Sequence, residues 1–193
     1  MKYYLIICLL LLSSPSWAQQ WVKEYDFSDE FTDGLSLVGK GNKKGFVNAE
    51  GKLIVPLIYD DALHFSEGMA AVKKASKWGF IDVTGKEIVP FQYEEAYGYS
   101  FMLALVQKNG HYGFIDHTGK TMIPFNYDNG SSFSEGLAPV NKNGSWGFIN
   151  VEGKEVIPFK YSYATSFSEG SAKVQKNGKW YYIDRLGKES PAD

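Results

Sequence analysis

The side chains of this 193-residue sequence that could do chemistry are few, and most of them recur at one fixed spacing. Catalysis needs a nucleophile with its base, a pair of differently tuned carboxylates, or a metal held by converging ligands. One cysteine, Cys8, and three histidines, His64, His111 and His117, provide neither a structural zinc framework nor a catalytic Cys–His pair. His111 and His117 flank one short segment without zinc-ligand spacing, and solvated strand ends are the expectation for both. Among the acids, Asp82, Asp116 and Asp184 open Asp-x-x-Gly segments, and Glu67, Glu135 and Glu169 sit in Ser-Glu-Gly. Both patterns are turn chemistry. Glycoside hydrolysis needs one pair of unlike carboxylates, which repetition does not supply. The segment Gly39-Lys-Gly-Asn-Lys-Lys-Gly45 has the glycines and lysines of a phosphate loop but lacks the Gly-Lys-Ser/Thr ending. No cofactor and no metal site is expected.

Twenty Lys+Arg against 22 Asp+Glu leave a formal charge of −2, and Arg185 is the sole arginine, so nothing is available to neutralise a phosphate backbone. Nucleic acid is excluded as an expected partner. Met1-Lys2, the apolar run Tyr3 to Leu12 and the segment Ser-Ser-Pro-Ser-Trp-Ala have the layout of a secretory signal peptide, residues 1–18, cleaved after Ala18. A membrane span needs ~20 apolar residues, more than this run supplies, so no span is expected in the mature chain. Lipidation of Cys8 is disfavoured because apolar residues continue past it to Leu12. The expected product starts at Gln19, carries no thiol, and resides in the periplasm or outside the cell.

Internal repetition organises the rest. Gly45-Phe46 recurs as Gly79-Phe80, Gly113-Phe114 and Gly147-Phe148, with Tyr181-Tyr182 in the same place, every step being 34 residues. Val38, Val72, Val106, Val140 and Val174 keep this period, as do Tyr25, Tyr59, Tyr93, Tyr127 and Tyr161. A 34-residue period also describes helix pairs, but each unit carries glycines, and Asn-Gly occurs at Asn109-Gly110, Asn143-Gly144 and Asn177-Gly178 between alternating segments. Asn-Gly favours the type I′ hairpin turn. The sequence therefore predicts an all-β chain. After a 19–24 lead-in comes one domain, 25–193, of five units: 25–58, 59–92, 93–126, 127–160 and 161–193. Each is expected to be a three-stranded antiparallel meander plus a short helical turn or loop, stacked on its neighbours. Deviations at both ends, Lys44 in a ring column and Tyr181-Tyr182 for Gly-Phe, favour an open curved array over the alternative, a closed five-bladed propeller-like ring.

A two-residue turn at Asn143-Gly144 sets Val140 opposite Gly147 and Ala138 opposite Ile149 on one face, Asn141 opposite Trp146 and Pro139 opposite Phe148 on the other. The first face is a packing face, where a mid-strand glycine implies close approach of another backbone, here expected from the next unit. The second aligns Trp78, Tyr112, Trp146 and Trp180, opposed by polar residues that include Gln107, Asn141 and Gln175. These seven are the candidate ligand-binding residues, although rings are also the only large side chains from which a core could be built.

The pattern Lys-x-Gly-x-Trp-Gly-Phe-Ile-Asp/Asn-x-x-Gly-Lys-x-Ile-Val/Ile-Pro-Phe-x-Tyr, fullest at Lys74 to Tyr93 and Lys142 to Tyr161, resembles the WG-repeat family of bacterial proteins. The resemblance implies a tandem β-repeat, often exported, with no shared enzymatic activity. The leading expectation is a non-catalytic binding or scaffolding protein for a polypeptide or glycan of the cell envelope or exterior, its oligomeric state open. The alternative is an envelope glycan hydrolase using Glu94, Glu95 and Glu135.

Overall fold

The computed structural model describes residues 17–192, so the expected signal sequence and Cys8 lie almost wholly outside the described residues. A 3₁₀ helix, Trp17–Glu24, leads into five four-stranded antiparallel sheets that follow one another along the chain. The second sheet shows the pattern: a two-residue strand Asp61–Ala62, the hairpin Met69–Lys74 and Lys77–Asp82, and a closing strand Glu87–Tyr93. The expected three strands are thus four. The connector contains no helical turn. Its first residues pair with the hairpin, as Asp61 with Lys73 and Ala62 with Val72, and its Ser-Glu-Gly forms a two-residue turn. Glu67, Glu135 and Glu169 there all have φ of 52°, each followed by a glycine at positive φ, which is the type I′ geometry.

These turns also join unit to unit. The Glu67 carboxylate accepts from Met102 N–H at 3.0 Å, Glu135 from Gly170 N–H at 3.1 Å, and Asp33 from Gly68 N–H at 2.9 Å. Ser100 and Ser134 donate through Oγ to the carbonyls of Phe133 and Phe167 in the next unit at 2.8 and 2.7 Å. In the third unit Phe101-Met102 replaces Glu-Gly yet keeps the turn, with φ of 55° and 65°. A side chain in this region costs about 1 kcal/mol or more. Met102→Gly retains the N–H that Glu67 binds and is expected to raise stability by about 1 kcal/mol, read from the urea midpoint.

The hairpin registers match expectation, including Val140 with Gly147 and Asn141 with Trp146. The role of the glycine column does not. A Cβ at Gly147 would lie 2.8 Å from the Ile157 carbonyl oxygen and 3.0 Å from Phe159 N, atoms of the closing strand of the same sheet and not of the following unit. That strand bulges over the glycine: Trp146 pairs with Tyr161 but Phe148 with Ile157. In the fifth sheet the closing strand Glu189–Pro191 pairs without a shift, Tyr181 with Pro191 and Ile183 with Glu189, and the column accepts a tyrosine. Tyr181 packs toward the fourth sheet, and its tolerance reflects the missing bulge.

Both faces of the inner sheets are buried, each against the opposite kind. The ring-bearing face of one sheet, for example Trp78, Phe80 and Tyr93, packs on the small face of the next, Ala96, Ala104, Val106 and Ile115. The same arrangement joins the first to the second, the third to the fourth and the fourth to the fifth sheet. Phe46, Phe80, Phe114 and Phe148 are fully buried. Each meets a ring of the following unit, with centroids 4.7 to 5.0 Å apart. Among the described residues no sheet precedes the first, and Trp21 covers its small face together with Val22 and Tyr25. Among the described residues no buried hydrophobic cluster joins the first sheet to the fifth.

The last closing strand is held by charge. Glu189 takes Lys160 at 2.9 Å, Lys176 at 3.2 Å and the Tyr161 hydroxyl at 3.0 Å. The Lys160 hydrogen bond, followed by those of Lys176 and Tyr161, holds its carboxyl down at about 2. A depressed carboxyl stabilises fully above its unfolded value, and that contribution fades as pH falls from about 4.5 toward 2. Glu189→Gln is expected to cost about 1 kcal/mol at pH 7. Urea midpoints of variant and parent should converge near pH 2.

Candidate functional site

The first pairs of each unit bring a distinct row to the hairpin-turn end of every sheet. Across the second sheet it runs Asp61, Lys73, Trp78, Tyr93; across the third, Glu95, Gln107, Tyr112, Tyr127; across the fourth, Asn129, Asn141, Trp146, Tyr161. The seven candidate ligand residues all lie in these rows or in the fifth row, Tyr163, Gln175, Trp180. Their exposure is uneven. Trp78 and Tyr112 are 8% and 7% exposed, Asn141 is buried, Trp146, Gln107 and Gln175 are half-buried, and Trp180 is 38% exposed.

What the sequence reading missed is the column Asp61, Glu95, Asn129 and Tyr163, which lies between successive rings. With the ring column it forms one ladder at 17-residue steps: Phe27, Lys44, Asp61, Trp78, Glu95, Tyr112, Asn129, Trp146, Tyr163, Trp180. Lys44 Nζ meets Asp61 at 2.5 Å, and the Tyr112 hydroxyl donates to Glu95 at 2.6 Å. Tyr163 lies 6.2 Å from Trp146 and 5.8 Å from Trp180 between ring centroids. The spacing is half the repeat, a signal that one column at a time does not reveal. Between the second and third sheets the ladder opens into a cleft of about 420 Å³ lined by Asp61, Lys73, Trp78, Glu94, Glu95 and Tyr97, among others.

Three carboxylates beside a tryptophan, Asp61, Glu94 and Glu95 at Trp78, would suit sugar hydrolysis, but each already has a partner in the fold, Asp61 being held by Lys44. Glu94 accepts from Asn109 N–H and Gly110 N–H at 3.1 and 2.8 Å, bracing the hairpin turn, as Asp128 does for Asn143 at 2.7 Å. Glu95 is bound by Tyr112 and, at 3.2 Å, by Tyr97, while Glu135 holds the turn of the next unit. Burial, and then the Glu95 carboxylate, push the Tyr112 phenol well above its ordinary range, so it remains a donor. Asp82 and Asp116 are turn residues as expected: hydrogen bonds from Thr84 and Thr118 hold both carboxyls low. His111 is exposed, but His117 departs from the expected solvated state, stacking on Tyr99 at 4.1 Å with its ring nitrogen 3.2 Å from the Glu67 carbonyl. Among the described residues no three His, Cys, Asp or Glu side chains group as a metal site, and no helix is long and apolar enough to cross a membrane.

The pairing of a ring with the crowded glycine beside it, repeated in step with the bulge, is the recurrent signature of this chain, and a model of the WG containing repeat matches it in tandem over residues 45–78, 78–111, 112–146 and 146–180. The chain belongs to the WG-repeat family. No curated protein matches this WG-repeat protein in sequence. Among solved structures it is similar to one described as a eukaryotic initiation factor, with a TM-score of 0.59 and 13% identity over 88% of this chain and 54% of that one. It is also similar to Hsv2 of Kluyveromyces lactis, with a TM-score of 0.54 and 10% identity over 81% of this chain and 58% of that one. This WG-repeat protein thus spans somewhat more than half the length of either structure, and at such identity the likeness is one of fold.

Proposed function

We propose that this protein is a non-catalytic, exported binding or scaffolding module for a polypeptide or glycan of the cell envelope or exterior, built as an open file of five sheets. The observation that carries the reading is the ladder, a continuous run of rings and hydrogen-bonding groups along one end of all five sheets, whose carboxylates are committed to the Lys44 ammonium at Asp61 and to phenol donors at Glu95. Rings supply large contact area with few rotamers to freeze, and the adjacent amides fix orientation. The ladder offers a cleft at Trp78 and, in the fifth row, the exposed rings of Tyr163 and Trp180.

The test is a screen of the purified protein against peptidoglycan, soluble polysaccharides and envelope polypeptide fractions, scoring both binding and turnover. Binding without turnover is expected. Reproducible turnover abolished by a single substitution such as Glu94→Gln, Glu95→Gln or Glu135→Gln would replace this reading with the hydrolase. Export is tested by intact-mass measurement on the secreted protein: a chain starting at Gln19 is expected, and retention of Met1 or a lipid on Cys8 would contradict it.

A further inference from the structure

The two ends of the file differ in how they finish. At the start, the small face is covered by Trp21; at the finish, the ring-bearing face of the fifth sheet meets no further sheet among the described residues, and Tyr163, Trp180 and Tyr182 are 47%, 38% and 45% exposed. We infer that this uncovered face is a saccharide-binding platform. The inference rests on the binding reading above and assigns it a ligand class and a place.

The repeat provides the comparison. Lys173 occupies the position that is Leu37, Ala71, Leu105 and Pro139 in the other sheets, all of them buried. Tyr182, its cross-strand partner, occupies the column of the four fully buried phenylalanines. Two apolar contacts have thus become an ammonium and a phenol where the stacking ends. Beside them, Trp180 carries the Lys173 ammonium 4.9 Å from its ring centroid and faces Gln175 across the hairpin. Ser162 Oγ donates to Gln175 Oε1 at 3.0 Å, so the Gln175 amide nitrogen remains a donor. Trp146 and Tyr163 continue the rings onto the fourth sheet.

The chemistry of this face selects among occupants. A second copy stacking head to tail would need an open small face, and that of the first sheet is filled by Trp21. Tail-to-tail pairing would bring Lys173 toward its own counterpart, a like-charge contact. An apolar polypeptide imitating a sixth unit would bury the Lys173 ammonium and the Tyr182 hydroxyl without partners, at a cost of 1–3 kcal/mol or more each. A saccharide chain avoids each of these. Its C–H faces stack on Trp180 and Tyr163, and its hydroxyls accept from Lys173 and Gln175 and pair with Tyr182.

The experiment titrates the full protein with cellohexaose, chitohexaose and solubilised peptidoglycan, followed by tryptophan fluorescence and calorimetry. Saturable binding of at least one probe is expected, weakened about tenfold by Trp180→Ala or by Tyr163→Ala, the size of one lost ring contact. Both residues are exposed, so the variants should melt with the parent, which confirms the fold. Saccharide binding indifferent to those two substitutions but lost with Trp78→Phe or Glu95→Gln would overturn the platform and leave the binding function standing. Failure of all three probes would overturn the platform also. If the envelope polypeptide fractions then fail to bind, the proposed function falls with it. A tail-dependent dimer by light scattering, abolished by Trp180→Ala, would assign the face to a second copy instead.

Discussion

Gly147→Val should lower stability by about 2 to 3 kcal/mol, the upper end of what overpacking costs. The new side chain would enter at 2.8 Å from the Ile157 carbonyl oxygen, a backbone atom that cannot rotate aside as a flexible side chain can. Relief requires undoing the bulge that carries Pro158 and Phe159 across the hairpin, and Phe159 stacks on Tyr127 of the preceding sheet. The cost should therefore spread beyond the substituted sheet. Tyr181→Val is the control. It occupies the same column where the closing strand pairs without a bulge, and a smaller loss is expected there from packing alone. Urea denaturation compares the two, with curves examined for loss of two-state behaviour, since repeat arrays can unfold in parts.

Trp21→Ala should cost about 3 to 4 kcal/mol, within the range for removing a buried tryptophan. Trp21 stands 34 residues before Val55, in the column Val55, Val89, Ile123 and Ile157. Each of the later members packs against the glycine turn of the unit after it, as Val55 does at Gly85 and Val89 at Gly119. Trp21 does the same at Gly51 and lies edge-on to Tyr25 and Phe31. It thus takes, over the first sheet, the place that a valine or isoleucine of the preceding unit takes over the later sheets, and its removal should expose Val38 and Val47. Amide exchange read by mass spectrometry should quicken in the first sheet and little in the fifth. Trp180→Ala, at an exposed position of the opposite end, should leave both unchanged.

The hairpins were legible from residue types because Asn-Gly fixes turn and register together, and the register then assigns every side chain to a face. The fourth strand was not legible. Two residues such as Asp61-Ala62 are too short to show alternation, and their pairing depends on where the hairpin lies. The crowding of the glycine column was anticipated, but its cause was placed in the following unit, because a bulge two residues deep leaves no periodic trace in one strand. Residues 19–24 looked like a lead-in since a single tryptophan outside the repeat carries no period, although its distance from Val55 is the repeat itself. The candidate site was legible in its rings and amides. Asp61, Asn129 and Tyr163 were missed, and Glu95 was noted only as an acid of the hydrolase alternative, because the column varies from acid to amide to ring, so that only the fold shows the four residues to be equivalent. The rings themselves divided as burial dictates: those covered by a following sheet joined the core, and those of the last sheet did not.

Whether the five sheets form one open file with an uncovered final ring-bearing face is decided by an end-to-end distance. With Cys8→Ser as background, spin labels at Asn42→Cys and Lys179→Cys mark the hairpin turns of the first and fifth sheets, while Asn42→Cys with Ser76→Cys marks two adjacent sheets. An open file predicts a first-to-fifth distance at least twice the adjacent-sheet distance, measured by pulsed electron resonance on the same protein. Equal distances would mean that the fifth sheet sits beside the first in a closed ring, and would contradict the account.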